Sequence, residues 1–568
     1  MQTFQIRSVP SASREALLTQ GISPLLARLY AARGIAHQGE LDYGLSALLP
    51  FDSMKNIGAM ACRLADAIRL RQKILVVADY DADGATACSV AMKGLAALGA
   101  VVDFIVPNRF EYGYGLTPEI VHLAAERQPD LILTVDNGIA SVEGVACARS
   151  LGIETLVTDH HLPGHELPDA LIVNPNQPGC EFGSKNLAGV GVMFYVLMAL
   201  RAEMRNRGVF ASQPEPNLGA LLDLVALGTV ADVVRLDQNN RILVDNGLKR
   251  IRAGRMSAGL AALFRVAGRA SVKASTFDLG FTLGPRLNAA GRLDDMSIGI
   301  ACLLADSAEQ AESLAQSLDQ LNRERRGIEA GMREEAMDAL SGIDATARYT
   351  LSLYREDWHQ GVVGIVASRL KEHFHRPAIV FAPGEDGEVR GSGRSIQGFH
   401  LRDALDLVSK RHPGLILRFG GHAMAAGLSV RQENLDTFHA AFETVARELL
   451  TEAQLTRTIE TDGELSPAEI SLTLAEELSA KVWGQGFPPP TFNNRFDVLK
   501  QRQVGGKHLK LRLGSRGMEF DAMLFNHADW LPDQVDAVYQ LAANEWQGRK
   551  ELQIYIEHWR EPESERGN

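Results

Sequence analysis

Cysteine is scarce in this chain: the five present in 568 residues (Cys62, Cys88, Cys147, Cys180 and Cys302) lie far apart and form no C-x-x-C pair. That excludes a disulfide framework and a zinc knuckle, and reads as small buried residues in a reducing compartment. No stretch approaches ~18 uninterrupted apolar residues, and the opening MQTFQIRSVPSASRE has no basic start leading into an apolar run. The expected location is the cytoplasm. Basic residues are outnumbered, 58 Lys and Arg against 70 Asp and Glu, for a net charge of −12. General adhesion to nucleic acid through net charge is thereby excluded, and any such site has to be a local patch. Aromatic residues make up only 6% and are scattered, so composition advertises no long base-stacking track. Also missing are G-x-x-x-x-G-K-[ST], H-E-x-x-H and G-x-S-x-G, which disfavours a P-loop nucleotidase, a zincin and an α/β-hydrolase. Hydrolysis through a metal-bound water is left.

What is there is ordinary soluble protein in bulk, with 46% hydrophobic and 23% charged residues. At roughly 150 residues per domain the length predicts three or four domains. From residue 73 one unit repeats: a short β-branched run, a polar or glycine-rich turn, then a helical pattern. The runs KILVVA (73–78), VVDFIV (101–106), DLILTV (130–135), ETLVT (154–158) and ALIV (170–173) predict a parallel α/β sheet with strands buried on both faces. Helices are expected around 85–98, 117–126 and 141–151. A long connecting helix is expected within 301–345, on a stripe of Leu314, Leu318, Leu321, Ile328 and Met332 interrupted at Arg325. A second α/β region follows over 346–452 and a third over 453–568.

In the third region WGQGFPPPTF (483–492) rules out regular helix and marks a rigid crossing. The alternating runs FDVL, HLKLRL, MEFDAMLF, VDAVYQLA and ELQIYIEHW then predict a small antiparallel barrel of the OB type. Residues 491–516 carry seven Lys or Arg (Arg495, Lys500, Arg502, Lys507, Lys510, Arg512 and Arg516) against the single acid Asp497. A solvated strand face is the bland reading; in an acidic chain a phosphate-tracking surface is preferred, with Lys507, Lys510 and Arg512 as its candidates.

Chemistry is concentrated where the parallel strands end. Asp79-Tyr80-Asp81-Ala82-Asp83-Gly84 follows KILVVA directly, Asp136-Asn137-Gly138 follows DLILTV, and Asp159-His160-His161 follows ETLVT. These are the positions where α/β sheets place ligands. Carboxylates at alternate positions repel one another, and cations remove the repulsion; hard oxygen donors point to magnesium or manganese. Asp232, in LGTVADVV (227–234), is a fourth candidate, although a lone Asp there is more often a helix cap. Imidazole with several carboxylates is the donor mixture of a two-metal phosphoryl-transfer site.

In that order, DYDADG, VDNG, DHH and ADVV resemble the four motifs of the DHH phosphoesterase superfamily. Within it, NRFEYGYGL (108–116), GPRLNAAGRLDD (284–295), HQGVVGIVASRL (359–370), GSGRS (391–395) and RFGGHAMAAGLSV (418–430) resemble the branch of single-strand-specific exonucleases, the last three lying in its DHHA1 domain. The resemblance implies a DHH domain with an N-terminal helical segment over 1–300, the connecting helix, a DHHA1 domain and a C-terminal OB-fold. It implies 5′-to-3′ hydrolysis of single-stranded DNA to mononucleotides with Mn²⁺ or Mg²⁺, in recombination and repair. By motif, Asp79, Asp81, Asp136, His160 and Asp232 would hold two metals with Asp136 bridging, Asp83 and Asp159 would be ligands or supporting partners, and His161 would face the scissile phosphate.

Arg109 and Tyr114 would offer a phosphate fork and a stacking face; Ser392 and Arg394 would hold a 5′-terminal phosphate, with Arg286 and His422 lining the same groove. A single-stranded-DNA-binding protein and a helicase are the partners that the family implies, with the chain acting as a monomer. Two other readings are weaker. A small-substrate phosphodiesterase for cyclic dinucleotides or nano-RNA is disfavoured because Leu75 stands where such relatives carry a metal-binding His. A non-catalytic DNA-binding scaffold should have lost ligands that are all present here.

Overall fold

The computed structural model describes residues 2–112, 115–340, 347–546 and 549–562. After a short strand β1 (Gln2–Ile6) and a helical segment, the first sheet comprises β2 (Lys73–Ala78), β3 (Val101–Ile105), β4 (Leu131–Val135), β5 (Glu154–Thr158) and β6 (Leu171–Val173). All four pairings are parallel and the spatial order is β3-β2-β4-β5-β6. The order reverses between β2 and β4, so the crevice at their carboxyl ends is the topological switch point of the sheet. Strands β2 and β4 are buried through nearly their whole length, as unbroken apolar runs in a parallel sheet should be. Strand β3 departs from the expectation of burial on both faces: it is an edge, with Val101 41% exposed and only Ile105 buried. Intervening helices span Ala82–Ala97, Pro118–Ala125 and Val142–Ser150.

The connecting helix is one element, Ala308–Leu340. Its buried stripe runs through Ala311, Ala315, Leu318, Asn322, Arg325, Glu329, Met332 and Ala336, while Leu314, Leu321 and Ile328 are only half-buried. Arg325 therefore does not interrupt the stripe. It lies on it, donating to Glu329 at 3.0 Å and Asn322 at 2.9 Å, while its Nε and the Asn322 Nδ2 have no hydrogen-bond partner among the described residues.

The second sheet holds β7 (Leu351–Tyr354), β8 (Ala378–Pro383), β9 (Glu388–Arg394), β10 (Ile416–Gly421) and β11 (Ala425–Arg431), in the order β10-β11-β9-β8-β7. Only β7 and β8 pair in parallel. One face buries Phe381, Phe438 and Phe442, the other Trp358, Val366 and Leu370 with Met332 and Ala336 of the long helix. β12 (Arg457–Thr461) pairs with β1, and β13 (Phe492–Val504), β14 (His508–Ser515), β15 (Met518–Leu524), β16 (Gln534–Trp546) and β17 (Arg549–Arg560) form a closed barrel in the order β13-β14-β15-β17-β16. This is the OB-fold expected, with one refinement: β15 and β17 pair in parallel, the join that closes the barrel and removes a free edge.

By compactness the chain divides into two units, one of Met1–Gln5, Arg292–Asp294 and Gln320–Ile459, the other of Ile6–Gly291, Asp295–Asp319 and Glu460–Asn568. The barrel thus belongs with the first sheet. All five cysteines are free, and no helix among the described residues is long and apolar enough to cross a membrane.

Candidate metal centre and nucleic-acid contacts

Asp79 ends β2 and Asp136 ends β4, so the two carboxylates flank the switch point from adjacent strands. Asp136 is 1% exposed and takes a left-handed backbone (φ 63°), which Asp tolerates. Asn137 clamps that turn by donating to the carbonyls of Val77 and Val135. Asp81 caps the helix Ala82–Ala97, its Oδ1 accepting from the backbone N–H of Asp83 and Gly84. Asp83 is fully buried. Its oxygens accept from Gly189 N at 2.6 Å and Val190 N at 3.0 Å, so a carboxylate 106 residues away fills the uncapped N-terminus of the helix Gly189–Asn206.

Asp159, at the end of β5, uses both oxygens locally. Oδ2 accepts from Ile139 N, while Oδ1 accepts from His160 N and His161 N and lies 2.8 Å from His161 Nδ1. It therefore holds the histidines in place. His160 points Nε2 into the cluster, 3.1 Å from Asp136 Oδ1, 3.5 Å from Asp232 Oδ2 and 3.9 Å from Asp83 Oδ2. Asp232 is the C-cap of the helix Leu222–Ala231, so it arrives from another element altogether.

Donor atoms of three sets each fall within 4.8 Å of one another: Asp79, Asp81 and Asp136; Asp83, His160 and Asp232; and Asp136, His160 and His161. Asp136 and His160 each belong to two sets. Two oxygens in this cluster, Asp136 Oδ1 and Asp232 Oδ2, are shielded from solvent and accept no hydrogen bond from the described residues.

The electrostatics of apposed carboxylates follow. Burial first, then neighbouring carboxylates, pushes Asp79, Asp136 and Asp232 well above the usual carboxylate range, and Asp83 to about 7. Burial and then the His161 charge push His160 down to about 4. Burial would also lower His161, but the hydrogen bond and charge of Asp159 outweigh it and hold His161 at about 9, while Asp159 itself stays below its ordinary value. One histidine is a neutral lone-pair donor and its neighbour a cation. A neutral imidazole nitrogen converging on orphaned carboxylate oxygens fits divalent cations of the manganese or magnesium type.

The polymer-contact candidates fare unevenly. Arg286 is 7% exposed, with its guanidinium bound to Asp319 Oδ1 and the Thr282 carbonyl, and so it braces helices where a groove contact had been expected. Arg394 donates to Ser392 Oγ at 3.0 Å, and both side chains lie against Gly364 in the first turn of the helix Val363–Phe374, where a Cβ would meet them at 2.9 Å. Arg394 is in register with Ala425, and the exposed His422 sits in the turn just before it, so Ser392, Arg394 and His422 share one end of that sheet. Arg109 opens the short helix Arg109–Tyr112, its side chain not being among those described, and Tyr114 lies outside the described residues.

On the barrel, Lys500 stands opposite Arg512 and Arg502 opposite Lys510, like charges face to face, which costs stability unless an anion joins them. Arg512 is relieved by Glu519 and Asp521 on β15, while Lys507 is exposed at the turn. Gly189 was missed from sequence. The signal was the crowded glycines of LAGVGV (187–192), since a Cβ on Gly189 would lie 2.6 Å from Asp136 Oδ1.

Family models match the chain over three stretches: the DHH family N-terminal domain at 73–229, the DHHA1 domain at 346–448 and the RecJ OB domain at 461–558. The single-stranded-DNA-specific exonuclease RecJ of Dickeya dadantii is 50% identical over 570 residues, covering 98% of both chains. That of Escherichia coli is 49% identical over 94% of this chain and 96% of its own. Among solved structures, RecJ of Thermus thermophilus in complex with Mn²⁺ superposes with a TM-score of 0.83 at 31% identity, covering 99% of this chain and 80% of that one. The Mg²⁺ complex gives 0.78 at 30% identity, covering 99% and 79%.

Proposed function

The chain belongs to the RecJ family of DHH phosphoesterases, and from that premise we propose that its metal centre holds two divalent cations bridged by Asp136 and that it trims single strands from the 5′ end to mononucleotides. It is a metal-dependent exonuclease that hydrolyses the phosphodiester bonds of single-stranded DNA. The observation that carries the two-cation reading is that Asp136 belongs to two donor sets, one with Asp79 and Asp81 and one with His160 and His161, while His160 also belongs to a set with Asp83 and Asp232. Cations bound there would neutralise the clustered carboxylates and bring the pKa of a coordinated water toward neutrality.

The chain's own groups divide the remaining work. His160 stays neutral and presents Nε2 as a donor. His161, charged and steadied by Asp159, offers an N–H to a phosphate oxygen and a proton to the departing oxygen. Ser392 and Arg394 are assigned to the 5′-terminal phosphate with His422 beside them, and Lys507, Lys510 and Arg512 to the strand as it crosses the barrel, with Arg109 and Tyr114 as further strand contacts. Arg286 acts by positioning, through Asp319. The division of labour we adopt is 1–300 for chemistry, 301–345 as connector, 346–452 for end recognition and 453–568 for strand binding. Five free cysteines suit a reducing, cytoplasmic location, and family analogy adds a monomer serving recombination and repair beside a single-stranded-DNA-binding protein and a helicase.

The test is digestion, with Mn²⁺, of an oligonucleotide labelled at its 3′ end, beside a duplex control and Asp136→Ala. Shortening from the 5′ side on single strands alone, abolished in the variant, is the expected result. Intact but retarded substrate would mean a binding protein without the chemistry.

A further inference from the structure

Away from the residues given to catalysis, the edge strand β7 faces the helix Leu435–Leu449 across a cavity of about 360 Å³, lined by Arg348, Thr350, Ser352, His439, Glu443 and Arg447. A strand face that looks onto a packed helix is expected to be apolar. Here Leu351 meets that expectation on the opposite face, while Thr350 and Ser352 line the cavity. The Oγ of Ser352 and the Nε2 of His439 are shielded from solvent and have no hydrogen-bond partner among the described residues. Leaving polar atoms buried and unpaired is costly, and two at one cavity mark places kept for a ligand atom.

The charges around it select the ligand. Glu443 is already saturated: it accepts from the backbone N–H of Tyr349 and Thr350, from Thr350 Oγ1 and from Arg447. Its charge is thus spent on the strand backbone and on one guanidinium, which also stacks 4.6 Å over Tyr349. Arg348 is exposed, and its guanidinium makes no hydrogen bond or ion pair among the described residues. Burial keeps His439 neutral, with Asp436 and Arg348 pulling its charge in opposite senses. One unspent cation, a hydroxyl and a neutral imidazole make an oxyanion cradle. The volume sits at the small end of ligand sites, room for a nucleotide-sized molecule but not a threaded strand.

We propose that this cavity binds a small phosphomonoester, with Arg348 folding over the phosphate and the Ser352 hydroxyl and His439 imidazole turning toward the cavity to hydrogen-bond its oxygens. The inference stands on residues 348–352 and 439–447 alone and does not depend on the nuclease reading.

Isothermal titration would test it on the full chain in EDTA, carrying Arg394→Ala so that the assigned 5′-phosphate contact is removed. The probes are dAMP, ribose 5-phosphate, orthophosphate and citrate. Saturable one-to-one binding of either ester is expected, weakened at least about tenfold by Arg348→Ala and by Ser352→Ala. Both are mild substitutions whose folding is checked by melting temperature. Orthophosphate binding as tightly as the esters would also support the site, with the phosphate group alone recognised. No binding of any phosphate at millimolar concentration, tighter binding of citrate, or affinity indifferent to both substitutions would overturn it and leave ordered water as the partner of the two buried atoms.

Discussion

Nδ1 of His161 lies 2.8 Å from Oδ1 of Asp159, a contact that holds His161 at about 9 against its own burial, while burial first and then the His161 charge hold the adjacent His160 at about 4. If the imidazolium serves the departing oxygen, cleavage should fall on an alkaline limb, which cations neutralising Asp79 and Asp81 would draw below the metal-free value of about 9, and His161→Gln should lose that limb while running slower below it. A histidine raised from 6.5 to about 9 stabilises the fold fully below 6.5, and that contribution is lost as pH rises through about 9. Melting curves of metal-free protein should therefore decline across that window more in wild type than in His161→Gln. Equal declines would mean that His161 carries no charge.

Four buried carboxylates raised first by burial and then by mutual repulsion are a destabilising arrangement kept for metal binding. Asp136→Asn keeps shape and tolerates the left-handed backbone while deleting one charge. It should abolish digestion, by at least about 100-fold, and yet leave metal-free protein as stable or more so, by about 1 kcal/mol. Mn²⁺ should raise the melting temperature of wild type and not of the variant, and the rise should shrink as pH is lowered and the carboxylates protonate. A variant less stable than wild type in EDTA would make Asp136 a structural residue.

Gly189 lets the helix Gly189–Asn206 press against Asp136 while its N–H holds Asp83. Gly189→Ala should displace Asp136 by a fraction of an ångström and reduce kcat by roughly 10- to 100-fold, with a smaller effect on KM. Gly191→Ala, whose Cβ would meet only Leu187 at 3.1 Å, is the control that should change little. Equal losses in both would assign the effect to helix packing.

The sheet, its switch point and the clustering of Asp79, Asp136 and His160 were legible because each follows a short apolar run, and neighbouring parallel strands end on one edge. The barrel was legible from period-two alternation. Illegible were the features settled by partners distant in sequence. Asp83 resembles Asp79 and Asp81 in the chain, yet it meets a helix terminus at residue 189. Arg286 looked like a groove cation because nothing near it in sequence announces Asp319. Strand β3 read like its neighbours, and only the order of the sheet made it an edge. Arg325 looked like a break in a stripe because side-chain pairing with Glu329 is invisible to hydropathy.

Arg33 and Asp462 tie the N-terminal helical segment to the approach into the barrel. Both side chains are 1% exposed, and the guanidinium meets the two carboxylate oxygens at 2.8 Å each while donating to the Pro488 carbonyl and lying over Trp483 at 5.2 Å. A buried pair of this kind adds little over an apolar substitute, but removing one partner strands the other charge. Arg33→Ala and Asp462→Ala should each cost about 3–5 kcal/mol, read by denaturation followed through the Trp483 environment. Arg33→Met with Asp462→Leu together should cost less than either alone. Because the metal centre is built from other elements, the singly substituted proteins should keep kcat on short oligonucleotides and lose affinity for longer single strands that reach the barrel. A loss of kcat with unchanged affinity would instead show that the tie orders the sheet end carrying Asp136, and the barrel's place in strand binding would have to be given up.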